Sequence, residues 1–305
     1  MDQETHPIIM VIGSLNMDIV VKATRSPTSG ETIIGKNIHF IPGGKGANQA
    51  VAAARLGAKT IMIGSLGVDE FGKSLSNSLQ AEKVDIRGIN MIDDVHSGIA
   101  SIILTEEDNR IIVVPGANNF CLTEDVERHQ ELMRQADIVL LQLEIPIPTV
   151  HRAIQLAHEQ QKPVILNPAP ATELSDQLLS MVDYITPNQH ELTHLTGITD
   201  LEQAMSALLD RGPKNVITTL GKAGAAWMKQ DRTLVQFKGY SVPVVDTTGA
   251  GDSFNAAFAY SIAQKKSIEE AISMAIKVSA LKVTKLGAQT GMPYLEEVQQ
   301  FQLNT

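Results

Sequence analysis

Short apolar runs rich in Ile and Val recur along the chain, each closing on a polar or Gly/Pro cluster, and the segments between them space their apolar residues as helices do. That alternation predicts an α/β fold on a mostly parallel sheet, doubly wound with helices on both faces. Core strands are expected at residues 8–13 (IIMVIG), 60–64 (TIMIG), 138–143 (IVLLQL), 164–167 (VILN), 183–186 (DYIT) and 216–220 (VITTL). Helical spacing falls on 45–56, 71–81, 149–161, 189–196, 200–211, 251–264 and 268–285. Two stretches break the alternation. Residues 18–23 with 32–41, and 97–104 with 110–114, read as strands without intervening helices, and they predict a small accessory sheet. The second pair turns through TEEDN, a polar hairpin connection. Ile and Val on both faces of these strands fit packing against the main body; the expectation is a lid whose outer face meets a partner subunit.

A length of 305 residues allows two domains or one large α/β domain with an appendage; the expectation is one domain over 1–305, with lid strands inserted at about 17–42 and 96–115. Hydrophobic residues make up 43% and charged residues 19%, the balance of an ordinary globular chain. A net charge of −9 with no local basic patch argues against nucleic acid as a partner. The single Cys121 forms no internal disulfide and anchors no Cys-based zinc site, so it reads as a buried spare thiol. No apolar run approaches a membrane span, and MDQETHPIIM lacks the features of a signal peptide; a cytoplasmic setting is expected.

In an open parallel sheet, ligands bind at the carboxyl ends of the strands, and those ends are chemical here. The first run delivers Asn16 and Asp18; later runs deliver Glu144, Asn167, Asn188 with Glu191, and Thr219 with Gly221. Each alone is an ordinary turn former. Together they predict a shared cleft. Two glycine-rich segments complete it. GGKGAN places Gly43, Gly44 and Gly46 before an Ala-rich helix, with Lys45 and Asn48 offering polar contacts. DTTGAGD places Gly249, Ala250 and Gly251 at a helix start, where free N–H groups and the dipole favour an anion. Asp252 there fits a carboxylate stabilising a first helical turn. Beside an anion site it also fits the base that phosphoryl transfer to a hydroxyl requires.

With GSLNMD, GGKGANQAVAAARLGA, QLE, LNPAPA, PNQHE, TLGKAG, DTTGAGDSF and KLGAQTGMP in order, the sequence resembles the ribokinase-like (PfkB) family of carbohydrate kinases from the first strand to about residue 295. The resemblance implies a β lid closing over the sugar, dimers formed by lids, and transfer of phosphate from ATP to the 5-hydroxyl of D-ribose, or in relatives to deoxyribose, fructose or a nucleoside. By position, Asn16, Met17, Asp18, Gly44, Lys45, Gly46, Ala47, Asn48 and Glu144 resemble the sugar-contacting set. Asn188, Thr219, Leu220, Gly221, Lys222, Ala223, Gly224, Gly251 and Asp252 resemble the nucleotide set, with Glu191 helping to organise Mg²⁺. Gly249, Ala250 and Gly251 resemble the anion hole and Asp252 the catalytic base. Asp246, Thr248, Lys282, Lys285, Gly287 and Gly291 stand where relatives hold an activating K⁺, largely through backbone oxygens. Ile276 departs from the pattern, since many relatives carry a polar residue there, near the adenine. Relatives favouring deoxyribose tend to carry an apolar residue in place of Asn16.

Two other motifs compete. GVDEFGKS (67–74) satisfies the phosphate-loop pattern, with Lys73 and Ser74 in the expected places, but Asp69 and Glu70 would put negative charge inside the cradle. A strand-to-helix turn is expected instead. HELTH (190–194) offers His190 and His194 as a zinc pair with Glu191 as base and Asp200 as a third ligand, the signature of a zinc hydrolase. Glu191 equally fits the N-x-x-E spacing from Asn188, and Gly197 reads as a helix C-cap.

Overall fold

A computed structural model describes residues 6–105 and 109–301. The chain begins with β1 (Ile8–Ile12), β2 (Asn16–Lys22), β3 (Asn37–Gly43), α1 (Lys45–Arg55), β4 (Lys59–Gly67), α2 (Glu70–Ala81), β5 (Asp85–Ile92) and β6 (Gly98–Leu104). It continues through β7 (Asn109–Val114), α3 (Thr123–Arg128), α4 (Gln130–Gln135), β8 (Ile138–Leu141), α5 (Ile147–Glu159), β9 (Val164–Leu166), α6 (Asp176–Leu179) and β10 (Tyr184–Ile185). The last third runs α7 (Gln189–Thr196), α8 (Leu201–Asp210), β11 (Val216–Thr219), β12 (Gly224–Met228), β13 (Leu234–Lys238), α9 (Ala250–Ala263), α10 (Ile268–Lys282), α11 (Ala288–Gly291) and α12 (Leu295–Gln300).

Nine strands form the main sheet in the order β13-β12-β11-β10-β9-β8-β1-β4-β5. β1 lies between β4 and β8, parallel to both, and the winding reverses there, which opens a crevice beyond its carboxyl end. Because helices cover both faces, β1, β4, β8 and β9 are buried on both sides, and this is why their sequences are continuous apolar runs. One core packs α1, α9 and α10 against the sheet through Val51, Phe258 and Ile272; the other packs α5 and α8 through Ile154 and Leu208. β12 and β13 add an antiparallel edge.

The second sheet has the order β3-β2-β6-β7. β2 runs antiparallel to β3 and parallel to β6, so the strands expected as an accessory sheet do assemble. The expected strand at 32–41 begins only at Asn37, which pairs with Lys22, the last residue of β2. Residues 106–108 of the expected TEEDN turn lie outside the described residues. The helix expected at 268–285 stops at Lys282, and the Val283 carbonyl instead accepts the N–H groups of Val245 and Asp246.

Candidate active site

The crevice beyond β1 is built by close backbone approach. Gly13 follows the strand, and a Cβ there would stand 1.9 Å from Gln142 Oε1 and 3.1 Å from Gly46 Cα, so a larger residue would displace the Gln142 side chain. Gly44 starts α1 at φ 88°, and a Cβ on it would lie 2.7 Å from the Asn16 nitrogen. The GGKGAN segment is thereby pressed onto the crossing from β1 to β2. Asn16 and Asp18 share one face of β2 and Met17 points to the other. The Met17 side chain is buried in the core. Asn16 is buried, and its Oδ1 accepts from Asn118 Nδ2 at 2.8 Å; the same Asn118 side chain also bonds the N–H and carbonyl of Leu15. Among the described residues no donor reaches the Asp18 carboxylate. It sits against Gly43, where a Cβ would lie 2.5 Å from Oδ2, and burial, with Glu144 and Asp252 nearby, pushes its pKa up to about 7.

Glu144 closes the opposite side. Its Oε2 accepts from Ser14 Oγ at 2.5 Å and from the Lys45 N–H at 3.2 Å, and the Lys45 ammonium stands 3.8 Å from Oε1. Burial works against the Lys45 charge, but Asp252 and Glu144 outweigh it and hold the ammonium above its ordinary pKa. Gly46 and Ala47 shape this wall from beneath: the Ala47 N–H donates to the Ser14 carbonyl and its side chain is buried, so no ligand contact falls to that side chain.

Asp252, in the first turn of α9, is held by two side-chain amides. Asn48 Nδ2 donates to its Oδ2 at 2.9 Å and Gln49 Nε2 to its Oδ1 at 3.1 Å. Gln49 is fixed in turn by Gln142 Nε2 and reaches Asn167 Oδ1 at 3.1 Å. Burial raises the Asp252 pKa against the opposing pull of Lys45, Asn48 and Gln49. Gly249 precedes the helix at φ 77°, in the left-handed region. The Ala250 N–H donates to the Thr247 carbonyl at 3.1 Å, while the N–H groups of Gly249, Gly251 and Asp252 have no acceptor among the described residues.

A cavity of about 210 Å³ is lined by Lys45 and Asp252 together with Asn188, Glu191 and Thr219 of the set expected to meet a nucleotide. Asn188 caps α7, its Oδ1 accepting from the Glu191 N–H at 2.9 Å, while Asn188 N–H and Nδ2 donate to the Glu191 carboxylate at 2.9 and 2.8 Å. Thr219 bridges to Asn188, and Gly221, Lys222 and Ala223 form an exposed turn on the rim. Gly224, at φ 103° and ψ −123°, turns the chain into β12, while Leu220 packs on the core. Ile276 is buried in the same core as Ile217 and Phe254, so packing explains its apolar side chain.

The six residues expected to hold K⁺ come together where the loops after residue 244 and residue 282 meet, but the site is taken. The buried Lys282 side chain turns into the loops and donates from Nζ to the carbonyls of Asp246 at 2.9 Å and Lys285 at 3.4 Å. An ammonium already satisfies carbonyls that a potassium ion would need, and two cations repel at that spacing. With Lys282 in that place, this set does not fit K⁺. Thr248 and Gly287 donate through N–H to the Asp246 carboxylate at 2.9 and 2.8 Å, and Lys285 pairs with Glu297.

Both competing motifs resolve into helix caps. Asp69 caps α2, its Oδ1 accepting from the Gly72 N–H at 2.6 Å, and it also accepts from Ser97, so a carboxylate fills the place where the phosphate loop would hold its anion. In HELTH, Glu191 is held by Asn188 and Gly197 ends α7 at φ 72°. No group of three or more potential His, Cys, Asp or Glu metal ligands exists among the described residues.

Four contributors escape sequence reading in different degrees. Gln49 follows Asn48 in an otherwise Ala-rich helix, so its polarity was a usable signal. Ser14 and Gln142 stand two residues before Asn16 and Glu144 in segments already singled out, whereas Asn118 reaches the site from a position that only the fold brings near.

The profile of the pfkB family carbohydrate kinases matches residues 7–295. The sequence is 40% identical over 292 residues to a ribokinase of Bacillus subtilis, covering 96% of this chain and 98% of that one. It is 35% identical over 300 residues to a deoxyribokinase of Salmonella typhi, covering 96% and 98%. The structure of Arabidopsis thaliana ribokinase complexed with ribose and ATP matches with a TM-score of 0.90 at 35% identity, over 98% of this chain and 100% of that one. A site of this construction and matches of this extent lead to one assignment: the chain belongs to the pfkB family of carbohydrate kinases.

Proposed function

We propose that the protein transfers the γ-phosphoryl group of ATP to the 5-hydroxyl of D-ribose, giving D-ribose 5-phosphate and ADP. The observation that carries the reading is the Asp252 carboxylate, aligned by Asn48 and Gln49 beside the open N–H groups that begin its own helix. That arrangement pairs a proton acceptor with an anion site, the two parts that phosphoryl transfer to an alcohol needs. A sugar hydroxyl is a far weaker acid than a carboxylic acid, so Asp252 orients the hydroxyl and takes its proton late, as the bond to phosphorus forms. The N–H groups of Gly249, Gly251 and Asp252 stabilise charge on the transferring oxygens. Lys45, reaching the same cavity, adds a positive charge there. Asn16 and Asp18 hold the sugar ring, and lid closure excludes water that would otherwise accept the phosphoryl group.

The donor set fits Mg²⁺. Glu191 lines the cavity with one carboxylate whose oxygens keep acceptor capacity beyond the Asn188 bonds, which suits an ion held chiefly by phosphate oxygens and water. When bound with the nucleotide, Mg²⁺ neutralises phosphate charge. Residues 219–224 would carry the rest of the nucleotide.

Ribose is favoured over 2-deoxyribose by the polar pair of Asn16 and Asp18 on one face of β2. Values of kcat/KM for ribose, 2-deoxyribose, fructose and a nucleoside, with ATP, test the choice: ribose is expected to lead, and a preference for any other overturns the substrate while sparing the kinase.

The lid is proposed to pair with the lid of a second copy. Ile111, Ile112, Val113 and Val114 are each about half exposed or more, which leaves an apolar strip on an edge strand. Light scattering is expected to give twice the chain mass, and Ile112→Asp to shift it toward the monomer; a monomeric wild type across the micromolar range contradicts the pairing. A cytoplasmic setting belongs to the same proposal, supported by the lone Cys121, whose thiol burial pushes up to about 12. No described helix is long and apolar enough to cross a membrane.

A further inference from the structure

The loops that bracket the start of α9 are held together from inside by a side chain. The Asp246 carboxylate accepts from Thr248 and Gly287, and the Val283 carbonyl accepts from Val245 and Asp246, which fixes the two loops edge to edge. Their carbonyls then converge on one point, and the Lys282 ammonium stands there, donating to Asp246 and Lys285. Gly291 makes room for it: a Cβ at Gly291 would lie 3.2 Å from Lys282 Cε and 3.3 Å from the Lys285 carbonyl oxygen. Lys282 is completely buried, and burial lowers its pKa; the carboxylates of Asp246 and Asp252 work against that fall, and carbonyl oxygens accept its N–H groups. The same helix reaches α9 through Ser279, whose Oγ donates to the Ala250 carbonyl at 3.1 Å.

We infer that Lys282 is a positioning residue whose tethered ammonium does in this chain the work of a bound monovalent cation, so the anion hole is ordered without potassium. The inference rests on the kinase reading only for its activity arm. A diffusible ion must be captured from solution and its site is empty for part of the time. An ammonium on the last residue of α10 is always present, and it draws the carbonyls of residues 246 and 285 inward, fixing the turn that presents Gly249 and Gly251. Gly291 is part of the device, since any larger residue would meet the lysine arm.

The test compares potassium chloride with tetramethylammonium chloride at matched ionic strength. Wild-type ribose-dependent ADP formation is expected to agree within threefold in the two salts; stimulation by potassium beyond threefold overturns the inference. Lys282→Ala is expected to lose at least tenfold in tetramethylammonium and to regain activity, saturably, with potassium or methylammonium, which a merely structural lysine would not show. Full activity of the variant in tetramethylammonium, or no recovery with either small cation, counts against it. Melting temperatures need no turnover: the wild type should melt alike in both salts, and Lys282→Ala lower in tetramethylammonium than in potassium. If the variant does not fold, the two wild-type comparisons decide. Absence of turnover with every sugar in both salts would sink the kinase reading, and the melting comparison would still judge Lys282.

Discussion

Asp252→Ala is expected to lower kcat by about 10²- to 10⁴-fold, the range for loss of a general base, with the KM values for ribose and ATP changing only a few-fold. The side chain does its main work where the proton leaves the hydroxyl, so its loss falls on the transition state. Alanine also leaves the Asn48 and Gln49 donors unpaired in a buried place, and a folding defect must be separated from a chemical one. Asp252→Asn makes that separation. It keeps the shape and cannot take the proton, so its kcat should fall as far. Burial holds the Asp252 pKa above the ordinary value in the folded protein. The ionised carboxylate therefore costs stability at neutral and higher pH, and less as pH falls. Removing the charge should leave the melting temperature at pH 8 no lower than that of the wild type. A kcat within tenfold of wild type in either variant would take Asp252 out of its role.

The second large effect is expected at Asp18. Its carboxylate meets no protein donor among the described residues, and two sugar hydroxyls would supply what the fold withholds. Asp18→Asn should raise the ribose KM roughly tenfold to a few hundredfold, the equivalent of ~1–3 kcal/mol, and narrow the preference for ribose over 2-deoxyribose. ATP affinity should hold. The free-enzyme pKa of about 7 adds a pH signature: ribose kcat/KM should fall as pH drops below 7, because protonation removes acceptor capacity, and the limb should move to lower pH in Asp18→Asn. Stability runs the opposite way. A folded-state pKa raised from 3.8 to about 7 means that stability present below the unfolded pKa is lost as pH rises to about 7 and stays lost above it. The variant should therefore melt above the wild type at pH 8 and close to it at pH 4. Equal melting at both pH values, with an unchanged ribose KM, would contradict the role given to Asp18.

What the sequence discloses follows from where burial is uniform. β1, β4, β8 and β11 sit between covering helices, so their runs of Ile, Val and Leu read directly as strands. β5 is an edge strand with the mixed sequence DIRGINMI, and β12 is GAAWM, whose small residues carry little β signal; both were invisible to pattern. Of the site, the residues at strand ends and in glycine segments were legible, since turn chemistry and close approach demand those types. Asn118 was not. It lies 102 residues from Asn16 in sequence, and only the packing of the turn after β7 against β4 and β6 brings them together. Lys282 was legible as a position, but the contact of its Nζ with the Asp246 carbonyl was not.

The most direct measurement is the identity of the product. The protein, incubated with ATP, Mg²⁺ and D-ribose and followed by phosphorus and proton NMR, is predicted to form one phosphate monoester, on C5 of ribose, in step with ADP. Phosphate on another ribose oxygen, or release of inorganic phosphate with no sugar ester, would contradict the account.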